Sequence, residues 1–253
     1  MASKTITIES KRESTRALSV VLGYMCIALI VTALVCLGFS LYFSKILVDG
    51  MNNYNATGDI AQYEHASNVV FGSLIGGVIA LFIMSFVTSF IIGRSKKGAW
   101  IPYLIYAALM GFTLSPVVMW IDSATIATAF GITAAVFLVL FLIGYFSKAN
   151  LSILGLIGLG ILFSVLFVPL PLLIIYLLVP GALGVWDFVA SIACSLYMLI
   201  MVAVEANRMN REIRGGVFTN SMALYYAFSF YTDFIYIFLR VLMILASSKS
   251  RNN

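Results

Sequence analysis

Residues 18–43, LSVVLGYMCIALIVTALVCLGFSLYF, run without a single charged side chain. A helix that crosses the roughly 30 Å hydrocarbon core of a bilayer needs about 20 apolar residues, so this stretch is long enough to span a membrane by itself. Six further apolar runs follow at about 69–93, 99–121, 124–146, 151–178, 185–207 and 221–246. The whole chain of 253 residues is 62% hydrophobic and 10% charged, with a mean hydropathy of +1.06. Soluble domains use roughly 45–50% apolar residues, so a soluble globule is excluded. The reading is all-α: a polytopic bundle of seven transmembrane helices over 18–246, with a polar tail at 1–17 and a short C-terminal tail at 247–253.

The tail MASKTITIESKRESTRA is mixed in charge and lacks apolar periodicity. The apolar run behind it is too long for a signal-peptide core and no small-residue cleavage pattern follows, so the tail reads as non-cleaved. The fifth run, 151–178, is long for one untilted span, and Pro169 and Pro171 predict a kink or a helix end near residue 168, with an extended or re-entrant stretch leading to Pro180 and Gly181. Orientation follows from Lys and Arg. Lys4, Lys11, Arg12, Arg16, Arg94, Lys96, Lys97, Lys148, Arg208, Arg211 and Arg214 share one side of a seven-span scheme, eleven of the fifteen basic residues. That side reads as cytoplasmic, with the N-terminus on it. The side of the C-terminus stays open, because a last segment that dips in and returns suits Lys249 and Arg251 equally well. A polar loop is expected at 44–68 on the opposite side, carrying Asp49, Asp59 and Glu64 and no Arg. The short tails favour a bacterial plasma membrane over an organelle membrane.

Composition also narrows the chemistry. Cys26, Cys36 and Cys194 all fall in apolar runs without a CxxC neighbour, which excludes a disulfide framework or a zinc ribbon. One histidine, His65, lies in the polar loop, which leaves no basis for a Ser-His dyad or a multi-His metal site. The net charge of +5 reflects basic residues beside apolar segments, where they orient helices, so a nucleic-acid partner is not expected. The glycines of 72–77 and 155–160 sit inside apolar helices and are read as points of close helix packing.

Ionisable groups inside a span are costly, so each demands an explanation. Three stand out: Glu205, Asp233 and Arg240. Asp233 lies about 12 residues into the last run, roughly 18 Å deep at 1.5 Å per residue. Tyr226, Ser229, Asp233, Tyr236 and Arg240 recur at spacings of 3, 4, 3 and 4 and form one polar stripe that could line a pore or a packed seam. The stripe has two readings: Asp233 as a structural carboxylate satisfied by hydroxyls, or as part of an ion or proton path. Glu205 ends the sixth run, where Arg208 at i+3 is the simplest partner. The short connection 208–220 also makes its helix a neighbour of the Asp233 helix. Two carboxylates facing one another in a low-dielectric site cannot both ionise cheaply, so the pair is expected to titrate as a unit. The same oxygens are hard ligands suited to Ca²⁺, so Glu205 and Asp233 are expected to form a site where Ca²⁺ and protons compete. Arg94 reads either as a positive-inside anchor or as a latch on Glu205 at the same membrane depth. No other cofactor is implied.

Several short motifs occur in order: Gly111-Phe112-Thr113-Leu114-Ser115-Pro116, Ala129-Phe130-Gly131-Ile132-Thr133-Ala134-Ala135-Val136-Phe137, Asn150-Leu151-Ser152-Ile153-Leu154-Gly155, Ser195-Leu196-Tyr197 and Tyr231-Thr232-Asp233-Phe234-Ile235. Together they resemble the Bax inhibitor-1 family over about residues 94–245. The resemblance implies a seven-helix bundle with the last helix at its centre and a pH-sensitive calcium leak governed by acids on the last two helices. Asp233 matches the last-helix Asp. The sixth-helix acid falls on Met201 in one register and on Glu205 in the other, a Glu where the family has Asp. Asn150 stands where the family commonly has Asp, and Arg94 resembles the Arg held to keep the acidic pair closed.

The leading expectation is thus a calcium leak channel and not an enzyme, in contact with the bilayer, calcium and protons. A non-transporting regulator that binds membrane proteases or cell-death proteins is the alternative. An intramembrane aspartyl protease is less favoured, because Asp233 follows Tyr231-Thr232 with no Gly nearby and no Pro-Ala-Leu segment.

Overall fold

The computed structural model describes the backbone of residues 2–58, 60–94, 98–151, 153–157, 182–216 and 218–250, and side chains from residue 14 onward apart from 182–191 and 250. Its elements are α1 (Ala2–Thr57), α2 (Ala61–Gly93), α3 (Trp100–Val118), α4 (Ser123–Phe146), α5 (Ala182–Arg214) and α6 (Asn220–Ser250), with a further helical turn at 153–157. No strand occurs among the described residues. Each of the six is long and apolar enough to cross a bilayer. Of the expected fifth span, only 151 and 153–157 are described, so its proline kink and re-entrant stretch lie outside the described residues.

Large apolar side chains cover the outside. Phe71, Ile75, Phe82, Phe86 and Phe90 of α2 and Leu34, Leu37 and Leu41 of α1 are all exposed. Such surfaces are stable only against lipid tails, which is why a helix apolar all round belongs in a membrane.

Three boundaries differ from the sequence expectation. The tail expected at 1–17 is helical from Ala2 onward, continuous with the first span. The loop expected at 44–68 is instead a helical hairpin: α1 runs to Thr57 and α2 starts at Ala61. Gly58 makes the turn at φ +74°, with its N–H donating to the Tyr54 carbonyl at 2.8 Å. At Gly50 a Cβ would sit 3.2 Å from the Tyr63 Cα, so the two helices stay packed beyond the apolar stretch. The connection expected at 208–220 shrinks to 215–219, because Arg208, Asn210, Glu212 and Arg214 extend α5 through i,i+4 contacts. Gly216, at φ +69°, then turns the chain, and the Thr219 hydroxyl accepts the Met222 N–H at 3.3 Å to cap α6.

The described residues form two compact units, one from 16–127 and 219–231 and the other from 1–15, 128–218 and 232–253. In the first, Gly111 lets α3 approach the Thr32 carbonyl of α1, and Gly77 lets α2 approach Thr113; a Cβ at either would collide. Gly72 and Gly76 have nothing within 4 Å, so of these three glycines only Gly77 is a packing point. Pro116 has no N–H for the Phe112 carbonyl, and the Ser115 hydroxyl donates to that carbonyl at 2.6 Å instead. The Thr32 hydroxyl lies 2.6 Å from the Tyr231 hydroxyl and 2.9 Å from the Ala107 carbonyl. Tyr103 and Tyr106 pack edge-on against Phe228 and Tyr231.

In the second unit, Gly144 of α4 meets the backbone of Ala203 in α5 so closely that a Cβ would strike its carbonyl oxygen. Phe130 and Phe137 of α4 pack edge-on against Phe234 of α6. α6 supplies its first half to one unit and its second half to the other, and carries a long buried face including Tyr226, Phe230, Phe234 and Leu242.

Candidate functional site: a buried acidic pair

The close α4–α5 contact at Gly144 brings α5 inward at the turn that carries Glu205. Val202, Val204, Ala206, Asn207, Met209 and Asn210 around it are all buried. Asn207 is the reason the local register holds. It is fully buried, its Nδ2 donates to the carbonyls of Gly144 at 3.3 Å and Ser147 at 3.0 Å, and its Oδ1 accepts the Leu151 N–H at 3.4 Å. It therefore serves carbonyls that the end of α4 leaves without helical partners. Asn210 donates to the Tyr145 carbonyl, and Arg211 Nη1 donates to Asn150 Oδ1 at 2.6 Å. Ser14 and Tyr145 join their hydroxyls at 2.9 Å, tying the start of α1 to the same end of α4.

Glu205 lies nine residues before the end of α5 and Asp233 thirteen after the start of α6, about 13 and 20 Å along their helices. The structure places both residues in the same unit, and Glu205 Oε2 and Asp233 Oδ2 are both buried. Asp233 is 7% exposed and its Oδ2 accepts no hydrogen bond from the described residues. Arg208 Nε contacts Glu212 Oε1 at 3.1 Å with 62% of the side chain exposed, because pairing one turn toward the helix end keeps the guanidinium in water. Met201, the alternative position in the other register, is half-buried one turn deeper.

The stripe on α6 does not present one face throughout. At 3.6 residues per turn Tyr236 lies about 80° around the axis from Tyr226. Tyr226 is buried in the first unit and stacks on Phe230 at 6.1 Å, whereas Tyr236 is 44% exposed in the second. Ser229 and Arg240 are half-buried. Arg94 caps α2 in the first unit, exposed, with its guanidinium 3.8 Å over the Phe90 ring.

Sequence reasoning missed Asn207, Asn210 and the Asn150–Arg211 bond. The available signal was an amide inside an otherwise apolar helix, which has to find backbone partners.

Six long helices with apolar outward faces define a multi-pass integral membrane protein, in which one carboxylate oxygen of Glu205 and one of Asp233 are buried. The profile of the family described as Inhibitor of apoptosis-promoting Bax1 matches residues 15–251. An uncharacterised membrane protein of Streptococcus pyogenes serotype M3 is 31% identical over 171 residues, 67% of this chain and 72% of that protein. One from serotype M1 is 30% identical over the same shares. The chain belongs to the Bax inhibitor-1 family.

Proposed function

We propose that this protein is a pH-sensitive calcium leak channel of the Bax inhibitor-1 type, gated by protonation of Glu205 and Asp233. The observation that carries the reading is a buried carboxylate oxygen on each of Glu205 and Asp233, from the consecutive helices α5 and α6 and within one unit. Like charges in a low-dielectric site are tolerated when a proton or a cation lies between them. Ca²⁺ takes six to eight oxygens and two carboxylates offer about four, so water or carbonyl groups complete its shell. A site so incomplete suits an ion in passage better than a resident one. Protons compete with Ca²⁺ for the same oxygens, which makes occupancy depend on pH. Arg94 acts in this reading as a latch whose positive charge holds the acidic pair closed. The protein makes and breaks no covalent bond.

The excess of Lys and Arg on one side supports a cytoplasmic N-terminus, and the streptococcal relatives support a bacterial plasma membrane.

The test is Ca²⁺ flux into proteoliposomes between about pH 5 and pH 8, comparing the unaltered chain with Glu205→Gln, Asp233→Asn and Arg94→Gln. The expected result is a pH-dependent flux whose profile shifts in both acid variants and a raised basal flux in Arg94→Gln. Sensitivity to Asp233 alone would make Glu205 a structural charge. No flux at any pH from folded protein would overturn the channel and leave the regulator.

A further inference from the structure

Three sulfur-bearing side chains line one groove of the second unit. The groove has a volume of about 490 Å³ between α4, α5 and α6, and its lining includes Cys194 and Met198 from α5 and Met243 from α6. Cys194 and Met198 stand four residues apart, hence on one face of α5 and a single turn from each other. A methionine in a helix leans toward the N-terminus, which brings the Met198 thioether over the turn of Cys194. Met243 is 54% exposed, and its three rotatable bonds let its sulfur follow an occupant. Cys194 is a free, half-buried thiol. No carboxylate or imidazole is among the described lining residues, and all of them lie in membrane-spanning segments.

The donor set decides which ion fits. Thiolate and thioether are soft ligands that suit Cu⁺, whereas Ca²⁺ and Mg²⁺ need oxygen. Zn²⁺ takes thiolate, imidazole or carboxylate, and the groove offers a single group of that kind. Charge points the same way. One thiolate cancels the charge of one monovalent cation, so the complex is neutral and its cost at membrane depth is small, while Arg240 in the same lining opposes a divalent ion. We propose that Cys194, Met198 and Met243 bind one Cu⁺ ion. The Cys194 thiol gives up its proton to solvent as its sulfur bonds to the metal, and the copper stays in the same oxidation state. This site is independent of the calcium reading.

The full chain in phosphatidylcholine nanodiscs is titrated anaerobically with Cu⁺ against the chromophoric chelator bicinchoninate. One tight equivalent per chain is expected. At that loading Cys194 should resist alkylation by N-ethylmaleimide while Cys26, exposed on α1, still reacts. Met198→Leu and Met243→Leu keep side-chain volume. Each is expected to weaken binding by at least the roughly tenfold that loss of an outer-shell partner costs a metal site, and Cys194→Ser to abolish it. In the unaltered protein, which avoids any folding defect of the variants, X-ray absorption at the copper edge is expected to show three sulfur neighbours. Unchanged affinity in both leucine variants, oxygen or nitrogen neighbours in place of sulfur, protection of Cys26 in place of Cys194, equal protection of Cys194 by Zn²⁺, or no copper retained by folded protein would each overturn the assignment.

Discussion

Replacing Asn207 with Leu tests how the acidic turn of α5 is held. Leucine keeps the branched heavy-atom skeleton but is bulkier, so no cavity opens and the loss is hydrogen bonding plus any overpacking at this fully buried position. Three backbone groups are left behind: the carbonyls of Gly144 and Ser147, bonded at 3.3 and 3.0 Å, and the Leu151 N–H, bonded at 3.4 Å. Interhelical hydrogen bonds in membrane proteins average about 0.6 kcal/mol, and bonds in soluble proteins about 1. Three of them give about 2–3 kcal/mol. At about 2–4 °C per kcal/mol for a chain of this size, the melting temperature should fall by about 4–12 °C. The assay is thermal unfolding of the full chain in detergent, followed by tryptophan fluorescence, with circular dichroism at low temperature to show that the helices form. Asn207→Asp should also destabilise, since it keeps the acceptor and loses both donors. A leucine variant melting within about 1 °C of the unaltered protein would refute the claim that Asn207 clamps the end of α4.

Ser115→Ala should cost about 1–2 kcal/mol by stranding the Phe112 carbonyl, and adding Pro116→Ala should recover part of the loss in the same melting assay, because the restored N–H reaches that carbonyl. Gly144→Ala should destabilise by about 1–3 kcal/mol through its clash with Ala203, whereas Gly72→Ala, which meets nothing, should be neutral or gain up to about 1 kcal/mol; similar melting temperatures for the two would contradict the packing described. Asn150→Asp converts the exposed bond to Arg211 into an ion pair and should add at most about 1 kcal/mol, a gain that disappears near 1 M salt.

Much of the membrane architecture was legible in the chain itself. Apolar runs longer than 20 residues leave few alternatives to spanning helices, because backbone polar groups have no other partners in lipid. Asp233 and Glu205 stood out for the same reason: a carboxylate in such a run is costly. Where each helix stops was less legible. The polar residues after Phe43 and Asn207 read as loops by hydropathy, yet i,i+4 contacts and the packing at Gly50 carry those helices onward.

The side chains' partners belonged to the tertiary structure. From sequence, Arg208 beside Glu205 was the simplest pair, since spacing reports neighbours only within one helix. The fold sends Arg208 outward to Glu212 and buries one carboxylate oxygen of Glu205 and one of Asp233 within the same unit. Likewise the α6 stripe followed from a spacing rule, but a drift of about 80° between Tyr226 and Tyr236 puts one in a core and the other at a groove. Hydropathy and spacing determined that this is a membrane bundle with acids in it. Which helices approach closely, at Gly111, Gly77 and Gly144, was decided by long-range packing, because contact between helices depends on residues far apart in the chain that meet only once it is folded.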